Sequence, residues 1–331
     1  MKRYLNGDSA MSKGSGVASS LLRMLLLAGC GLMLGISLLG AVSYRADSTN
    51  IVAPYWLALG LAILCVIAWF SRRAARSAAL ALLLGYAAMA VALLGPLIPG
   101  SASASDATRI RVVSFNMYKA NPDPEAAMDW IIGQDADFVI LLEAFRSNLP
   151  AVARLRQHYP YSYNCAGSGY CSTVILARQP AKDVWPLASG DPENRQTLSA
   201  VAAHFEIAGR TIPITGVHFD RPWPLGQQEQ YWGELSNAAA TVGRRGILAG
   251  DFNSAPWTFA MRRLSAGGEL RLASGAIGTW PTNAPAGVLR LPLDQVYLGP
   301  CLDPVSVRRG PALGSDHFPI VTDIDVGDCG G

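Results

Sequence analysis

The hydrophobic pattern of the chain changes character near residue 100. Before it, Met24 to Ser43, Ile51 to Phe70 and Ser77 to Pro99 are uncharged and predominantly apolar. Each has roughly the ~20 residues that a helix needs to cross a ~30 Å hydrocarbon core. They predict three transmembrane helices, over about 21–43, 51–70 and 77–99, within an anchor spanning 1–100. A cleavable signal peptide would account for one such run and leave the other two unexplained. After a small, polar stretch at 101–108 that reads as a tether, the pattern breaks into short apolar runs separated by segments of helical spacing. Strands are predicted over 110–116, 137–143, 173–178, 198–207, 211–219, 245–251, 293–298 and 317–324. Helices are predicted over 122–134, 146–157, 227–242 and 256–266. Alternating patterns joined by short turns favour antiparallel pairs, and two sheets packed face to face with helices outside accommodate them in a second domain, 109–327.

Charge sharpens the division. The first hundred residues hold eight of the 27 Lys and Arg and two of the 24 Asp and Glu, leaving 19 basic and 22 acidic side chains for the remainder. Lys2, Arg3 and Lys13 precede the first span, and Arg72, Arg73 and Arg76 separate the second from the third, whereas the intervening loop has Arg45 with Asp47. Basic flanks stay on the cytoplasmic side. This predicts a multi-pass protein of the cytoplasmic (inner) membrane with its amino terminus inside and residues after Pro99 on the extracytoplasmic, periplasmic side. Four of the six cysteines, Cys165, Cys171, Cys301 and Cys329, fall in the second domain. An oxidising compartment permits three pairings among them, of which Cys165 with Cys171 is the first expected.

Several polar residues stand where apolar runs end. Ile247 to Asn253 is an apolar strand running into Gly250 and then Asp251 and Asn253. At that spacing both side chains reach the same side of an extended chain, although Gly, Asp and Asn equally suit a plain turn. Asp316 beside His317 places a hard oxygen ligand next to a group that exchanges protons near neutral pH. Glu143 closes Phe138–Leu142, where burying a carboxylate demands a counter-charge or a metal. Asn116, His218 and Asp294 occupy comparable positions, while His158 and His204 read as structural. Arg221 suits either a phosphate or a surface ion pair, and Trp223, Trp257, Phe259 and Trp280 either a substrate or the core.

In this order, Ser-Phe-Asn116, Leu-Leu-Glu143, Val-His218, Gly-Asp251-Phe-Asn253, Leu-Asp294 and Ser-Asp316-His317 resemble the successive motifs of the endonuclease/exonuclease/phosphatase superfamily. The resemblance runs from about residue 109 to residue 325, and the three spans ahead of it are similar to those of a bacterial membrane-bound subgroup. It implies a four-layer α/β/β/α sandwich of the deoxyribonuclease I-like kind. It further implies a metal-dependent phosphoester hydrolase using Mg²⁺ or Mn²⁺, with Asn116, Glu143 and Asp316 at the metal and His218, Asp251, Asn253, Asp294 and His317 as catalytic residues. In that scheme His317 pairs with Asp294, and Tyr170 is a candidate support for His218. Tyr118 departs from the acid or amide that some relatives have there. The implied substrate is nucleic acid, a phospholipid head group or a small phosphoester. Membrane lipid contacts the helices, and no protein partner is implied. A catalytically silent scaffold that retains the fold is the competing expectation.

Overall fold

A computed structural model describes residues 7–97, 108–144, 149–165, 171–187, 198–266, 268–285 and 289–327. The chain forms two compact units, Met1–Pro96 and Leu97–Gly331. The first contains α1 (Gly7–Leu39), α2 (Tyr44–Asp47), α3 (Ala53–Phe70) and α4 (Arg73–Leu94). Val17–Leu39, Tyr44–Phe70 and Arg73–Leu94 are long and apolar enough to cross a membrane. Small residues let these helices approach closely. A Cβ on Gly60 would lie 2.1 Å from the Tyr86 ring, whose hydroxyl donates to the Cys30 carbonyl at 3.1 Å.

Two details depart from the sequence expectation. The segment expected as a loop between the first two spans coils into α2 and a 3₁₀ turn, Ser48–Val52, and buries Asp47 and Asn50. This is tolerated because Asn50 donates to Asp47 (2.9 Å) and accepts from Ser37 (2.6 Å). Arg73 and Arg76, expected in a loop, instead form the first turn of α4. Arginine and alanine are good helix formers, and long cationic side chains reach outward past an apolar stem.

The second unit contains β1 (Thr108–Asn116), α5 (Pro124–Gly133), β2 (Phe138–Leu142), α6 (Leu149–Arg154), β3 (Tyr161–Asn164), β4 (Val174–Ala177), β5 (Asp183–Pro186) and β6 (Ser199–Ile207). It continues with β7 (Arg210–His218), α7 (Gln227–Ala240), β8 (Ile247–Asp251), α8 (Phe259–Ser265), β9 (Arg271–Leu272), β10 (Asp294–Leu298), β11 (Leu302–Arg309) and β12 (Ile320–Val326). The strands make two six-stranded sheets, ordered β11-β12-β1-β2-β4-β3 and β5-β6-β7-β8-β10-β9. Most neighbours are antiparallel, but β1 with β2 and β7 with β8 are parallel.

Alternation along β1 sends Ile110 and Val112 into the core between the sheets and Val113 and Phe115 outward. On the outer side they meet Met128 and Ile131 of α5 and Val152 of α6, and α7 packs on β6 and β7 of the other sheet. The result is the α/β/β/α sandwich. Asp123 caps α5 by accepting from the Ala126 N–H at 3.1 Å, with Pro124 at the first helical position. Both features are start signals readable in sequence.

The eight strands expected from the pattern are all present, and four more, β3, β5, β9 and β11, are the sheet edges. Thr108, assigned to the tether, begins β1, while 101–107 lie outside the described residues. The last strand starts at Ile320 rather than at 317, because Pro319 has no N–H for the ladder. Cys165, just after β3, is bridged to Cys171. Cys301 is also disulfide-bonded, whereas Cys30 and Cys65 are free thiols. Cys329 and Tyr170 lie outside the described residues.

Candidate active site

Strand register brings the polar strand ends together. In the second sheet, His218 at the end of β7 pairs directly with Asp251 at the end of β8, and Asp294 at the start of antiparallel β10 pairs with the same residue. In the first sheet, Asn116 ends β1 opposite Leu142, so Glu143 follows one residue beyond β2. The loop before β12 carries Asp316 and His317. Both sheets therefore deliver their polar termini to one end of the sandwich.

Asp251 is the hub of the cluster. About 1% exposed, it accepts from Asn116 Nδ2 (3.0 Å) and from the Asn253 backbone N–H (2.8 Å) and Nδ2 (3.3 Å). His218 Nε2 lies 3.8 Å and His317 Nε2 3.7 Å from its Oδ2. His218 also faces Glu143 Oε1 at 4.0 Å, and Glu143 Oε2 accepts from the Lys119 N–H at 2.9 Å. On the other flank His317 Nδ1 is 2.7 Å from Asp294 Oδ2. Asp294 Oδ1 is buried without a hydrogen-bond partner among the described residues.

Among the described residues, Asp251, Asp294 and His317 form the cluster whose ligand atoms all fall within 4.8 Å. Glu143 and Asp316, implied as metal ligands by the resemblance, are outside that trio. The Asp316 carboxylate accepts from the Trp280 indole N–H at 3.2 Å. Burial raises the Asp251 pKa to about 6, with Asp294 adding to the rise and His317 and His218 opposing it. For His317, burial favours the neutral ring, but Asp294, Asp251 and Asp316 together outweigh it and raise the pKa to about 10.

Backbone geometry aims these groups. Glu143 (φ 52°), Asn253 (φ 47°) and Tyr118 (φ 58°) all occupy the left-handed region, which non-glycine residues enter at some energetic cost when the surroundings hold them there. The Tyr118 N–H donates to Asn116 Oδ1 at 3.0 Å, fixing the amide with its Nδ2 toward Asp251.

Supporting residues escaped the sequence reading. Ser315 donates to the Asn116 carbonyl (2.7 Å) and accepts from the His317 N–H (3.0 Å), so it ties the histidine loop to β1. Asn121 joins the same loops by donating to Met117 O (3.0 Å) and Leu313 O (2.9 Å). From α7, Gln228 reaches the carbonyls of Asp220 (2.7 Å) and Asn253 (3.2 Å). Ser315 was visible inside the Ser-Asp-His motif, but a lone Gln or Asn in a helix or loop carries no comparable signal. His204 meets the Trp185 ring edge-on across β5 and β6, and His158 is exposed. Trp257 is buried, Trp223 is exposed, and Arg221 is exposed in the loop after His218.

The family model described as "Endonuclease/Exonuclease/phosphatase family" matches residues 113–317. Among solved structures the chain is similar to TDP2 of D. rerio complexed with a single-strand DNA product, at 16% identity and TM-score 0.54, covering 66% of this chain and 99% of that one. It is also similar to an endonuclease/exonuclease/phosphatase from Beutenbergia cavernae, at 18% identity and TM-score 0.52, covering 66% and 72%. A third, from Bacteroides vulgatus, has 16% identity and TM-score 0.53, covering 66% and 99%. At these identities the likeness is one of fold. No curated protein sequence matches the chain.

Proposed function

The chain belongs to the endonuclease/exonuclease/phosphatase family, a superfamily of phosphoesterases, and from that premise we propose a membrane-anchored hydrolase that directs water onto the phosphorus of a phosphoester with the help of Mg²⁺ or Mn²⁺. The observation that carries this reading is the buried acidic cluster. Asp251 and Asp294 are both about 1% exposed, and Glu143 lies across His218 from Asp251. Buried carboxylates need compensation, and His317 offsets only part of that charge. The carboxylate and carboxamide oxygens fit a hard divalent cation. Glu143, Asn116 and Asp316 would hold it. Bound there, such an ion would supply Lewis-acid neutralisation of the negative charge on the phosphoryl group.

The chain's own groups do the rest. Asp294 fixes the His317 ring so that Nε2 faces Asp251 and the substrate. With its ring neutral, His317 accepts a proton at Nε2 from the attacking water. Asp251, braced by Asn116 and Asn253, orients that water, and His218 donates toward the phosphoryl oxygen as negative charge develops there.

The three apolar helices support membrane attachment. The basic flanks support an inside amino terminus with the catalytic unit on the opposite face, and the disulfides suit an oxidising compartment. In sealed vesicles, protease should reach residues 109–327 only from the face opposite the amino terminus; cleavage from the same face would overturn this topology. The substrate remains among nucleic acid, a phospholipid head group and a small phosphoester. A relative of the same fold was solved with a DNA product. Here, however, residues 101–331 hold 22 acidic against 19 basic side chains, and Arg109, Arg111, Arg154, Arg178 and Arg271 are ion-paired with carboxylates, which weighs against the strongly basic footprint that grips a nucleic-acid backbone.

The test is hydrolysis by the detergent-solubilised full chain of plasmid DNA, phospholipid micelles and bis-p-nitrophenyl phosphate, with Mg²⁺, Mn²⁺ or EDTA. Metal-dependent cleavage that disappears in His317→Ala is expected. No cleavage of any substrate, together with no metal binding by calorimetry, would leave the silent scaffold.

A further inference from the structure

A disulfide lies where the two sheets approach each other beside the site. In the first sheet β2 and β4 run antiparallel with Leu141 opposite Val174, and beyond that pair the Ala144 N–H donates to the Ser172 carbonyl at 3.0 Å. Glu143 immediately precedes this bond, at φ 52°, and the residue before Ser172 is Cys171, bridged to Cys165. In the second sheet Ser199 opens β6 directly opposite His218 at the end of β7.

Ser199 joins the two sheets. Its Oγ lies 3.0 Å from Cys171 Sγ, 3.3 Å from Cys165 Sγ, 3.3 Å from Ser172 Oγ and 2.8 Å from Thr173 Oγ1, and its carbonyl accepts from the Thr173 hydroxyl at 2.9 Å. A disulfide sulfur has no proton and only accepts, so toward it the Ser199 hydroxyl is the donor. Thr173 also closes on Gly216, two residues before His218, where a Cβ would meet Thr173 Cγ2 at 3.1 Å. Cys165 and Thr173 are buried, and a close-packed interior passes displacements on rather than absorbing them. The two groups reached from this cluster, Glu143 and His218, face each other at 4.0 Å.

We infer that the Cys165–Cys171 disulfide and Ser199 are positioning residues for the active site: they act on Glu143 through Ser172 and Ala144 and on His218 through the β6–β7 register, so that opening the disulfide weakens metal binding and turnover without unfolding the domain. This rests on the hydrolase reading above and adds a redox control to it. Cys171 is partly exposed where Cys165 is buried, so its sulfur is the one a reducing dithiol reaches. The reductant's thiolate attacks Cys171 Sγ, and the S–S bonding pair leaves on Cys165 Sγ, which takes up a proton. The second thiol of the reductant, losing its own proton, then displaces Cys171, which is protonated in turn while the reductant ends as a disulfide. The freed sulfurs move apart to non-bonded contact and become S–H donors, which disturbs the Ser199 contacts.

The test uses the full chain in detergent, oxidised or treated with dithiothreitol, beside Cys165→Ala/Cys171→Ala. It reads Mn²⁺ binding by calorimetry, hydrolysis of bis-p-nitrophenyl phosphate, and the His218 signal in a ¹⁵N-histidine spectrum of metal-free protein, assigned by its loss in His218→Gln. Reduction and the double variant should each weaken Mn²⁺ binding and lower kcat/KM by about tenfold or more and shift the His218 signal, with that of the exposed His158 left in place. Ser199→Ala should shift the His218 signal with the disulfide intact. Reoxidation by glutathione disulfide should restore the parent values, as it would not for a misfolded protein. Should the double variant fail to fold, the reduced parent and Ser199→Ala carry the same readouts. If the parent neither binds Mn²⁺ nor cleaves the ester, the hydrolase reading fails by itself and the His218 signal decides. The inference is disproved if Mn²⁺ affinity or the His218 signal is unchanged, or if the His158 signal shifts alongside, the mark of a general loosening. It fails equally if the double variant matches the parent and dithiothreitol still impairs it, which would assign the control to the bridge at Cys301.

Discussion

Replacement of Asp294 by asparagine is expected to lower turnover by about 10²–10⁴-fold while leaving the fold intact, a loss of the size seen when a general base is left in the wrong tautomer. The carboxylate only accepts, so it holds the proton of His317 Nδ1 at 2.7 Å and leaves Nε2 to exchange with water. An amide can turn its NH₂ toward Nδ1 and stabilise the opposite tautomer. The pH dependence follows with a definite sign. Although burial works against it, the surrounding carboxylates raise the His317 pKa from 6.5 to about 10. Folding therefore favours the protonated ring, and its stabilising contribution is complete below the unfolded pKa and is lost as pH rises toward 10. In metal-free protein the stability gap between parent and Asp294→Asn should narrow as pH is raised from about 7 to about 10. The His317 imidazole signal in a ¹⁵N-histidine spectrum should titrate at lower pH in the variant. Unchanged kcat together with an unchanged titration would sink the assignment.

Gly250→Ala is expected to destabilise the catalytic unit by at least about 3 kcal/mol and to abolish activity with it. Gly250 sits at φ +152°, and a Cβ there would lie 1.8 Å from the carbonyl oxygen of Val217 on the parallel neighbour. Val217 pairs with Gly250, and the next pair along is His218 with Asp251. Any shift that relieves the clash therefore moves the two site residues apart. Gly133, the last residue of α5, has nothing within 4 Å of such a Cβ, so Gly133→Ala should be neutral or slightly stabilising. Denaturation of the two variants beside the parent checks this. Equal stability of both would mean that β7 and β8 yield without harm.

The pattern of buried positions was legible where each strand has neighbours on both sides. The eight strands expected from sequence are the eight interior ones, and β2, β4, β8 and β10 are buried along their whole length. The four edge strands were not legible, because they are short, exposed or both. Tyr161–Asn164 and Asp183–Pro186 contain no buried residue, and Leu302–Arg309 interrupts its pattern at a register shift between Pro304 and Ser306. An edge is stabilised by the ladder it joins rather than by its own apolar run.

The sequence by itself determined the division into an apolar helical part and a sandwich, the interior strands, and the identities of the polar residues at their ends. Those properties are local: they depend on which side chains are apolar, at what period, and where the run stops. Only the tertiary structure decided which of those residues touch. Asn116 donates to Asp251 across 135 positions and Ser315 to Asn116 across 199. Such pairings depend on strand order and register, which bring distant residues within hydrogen-bond reach and leave no periodic trace along the chain.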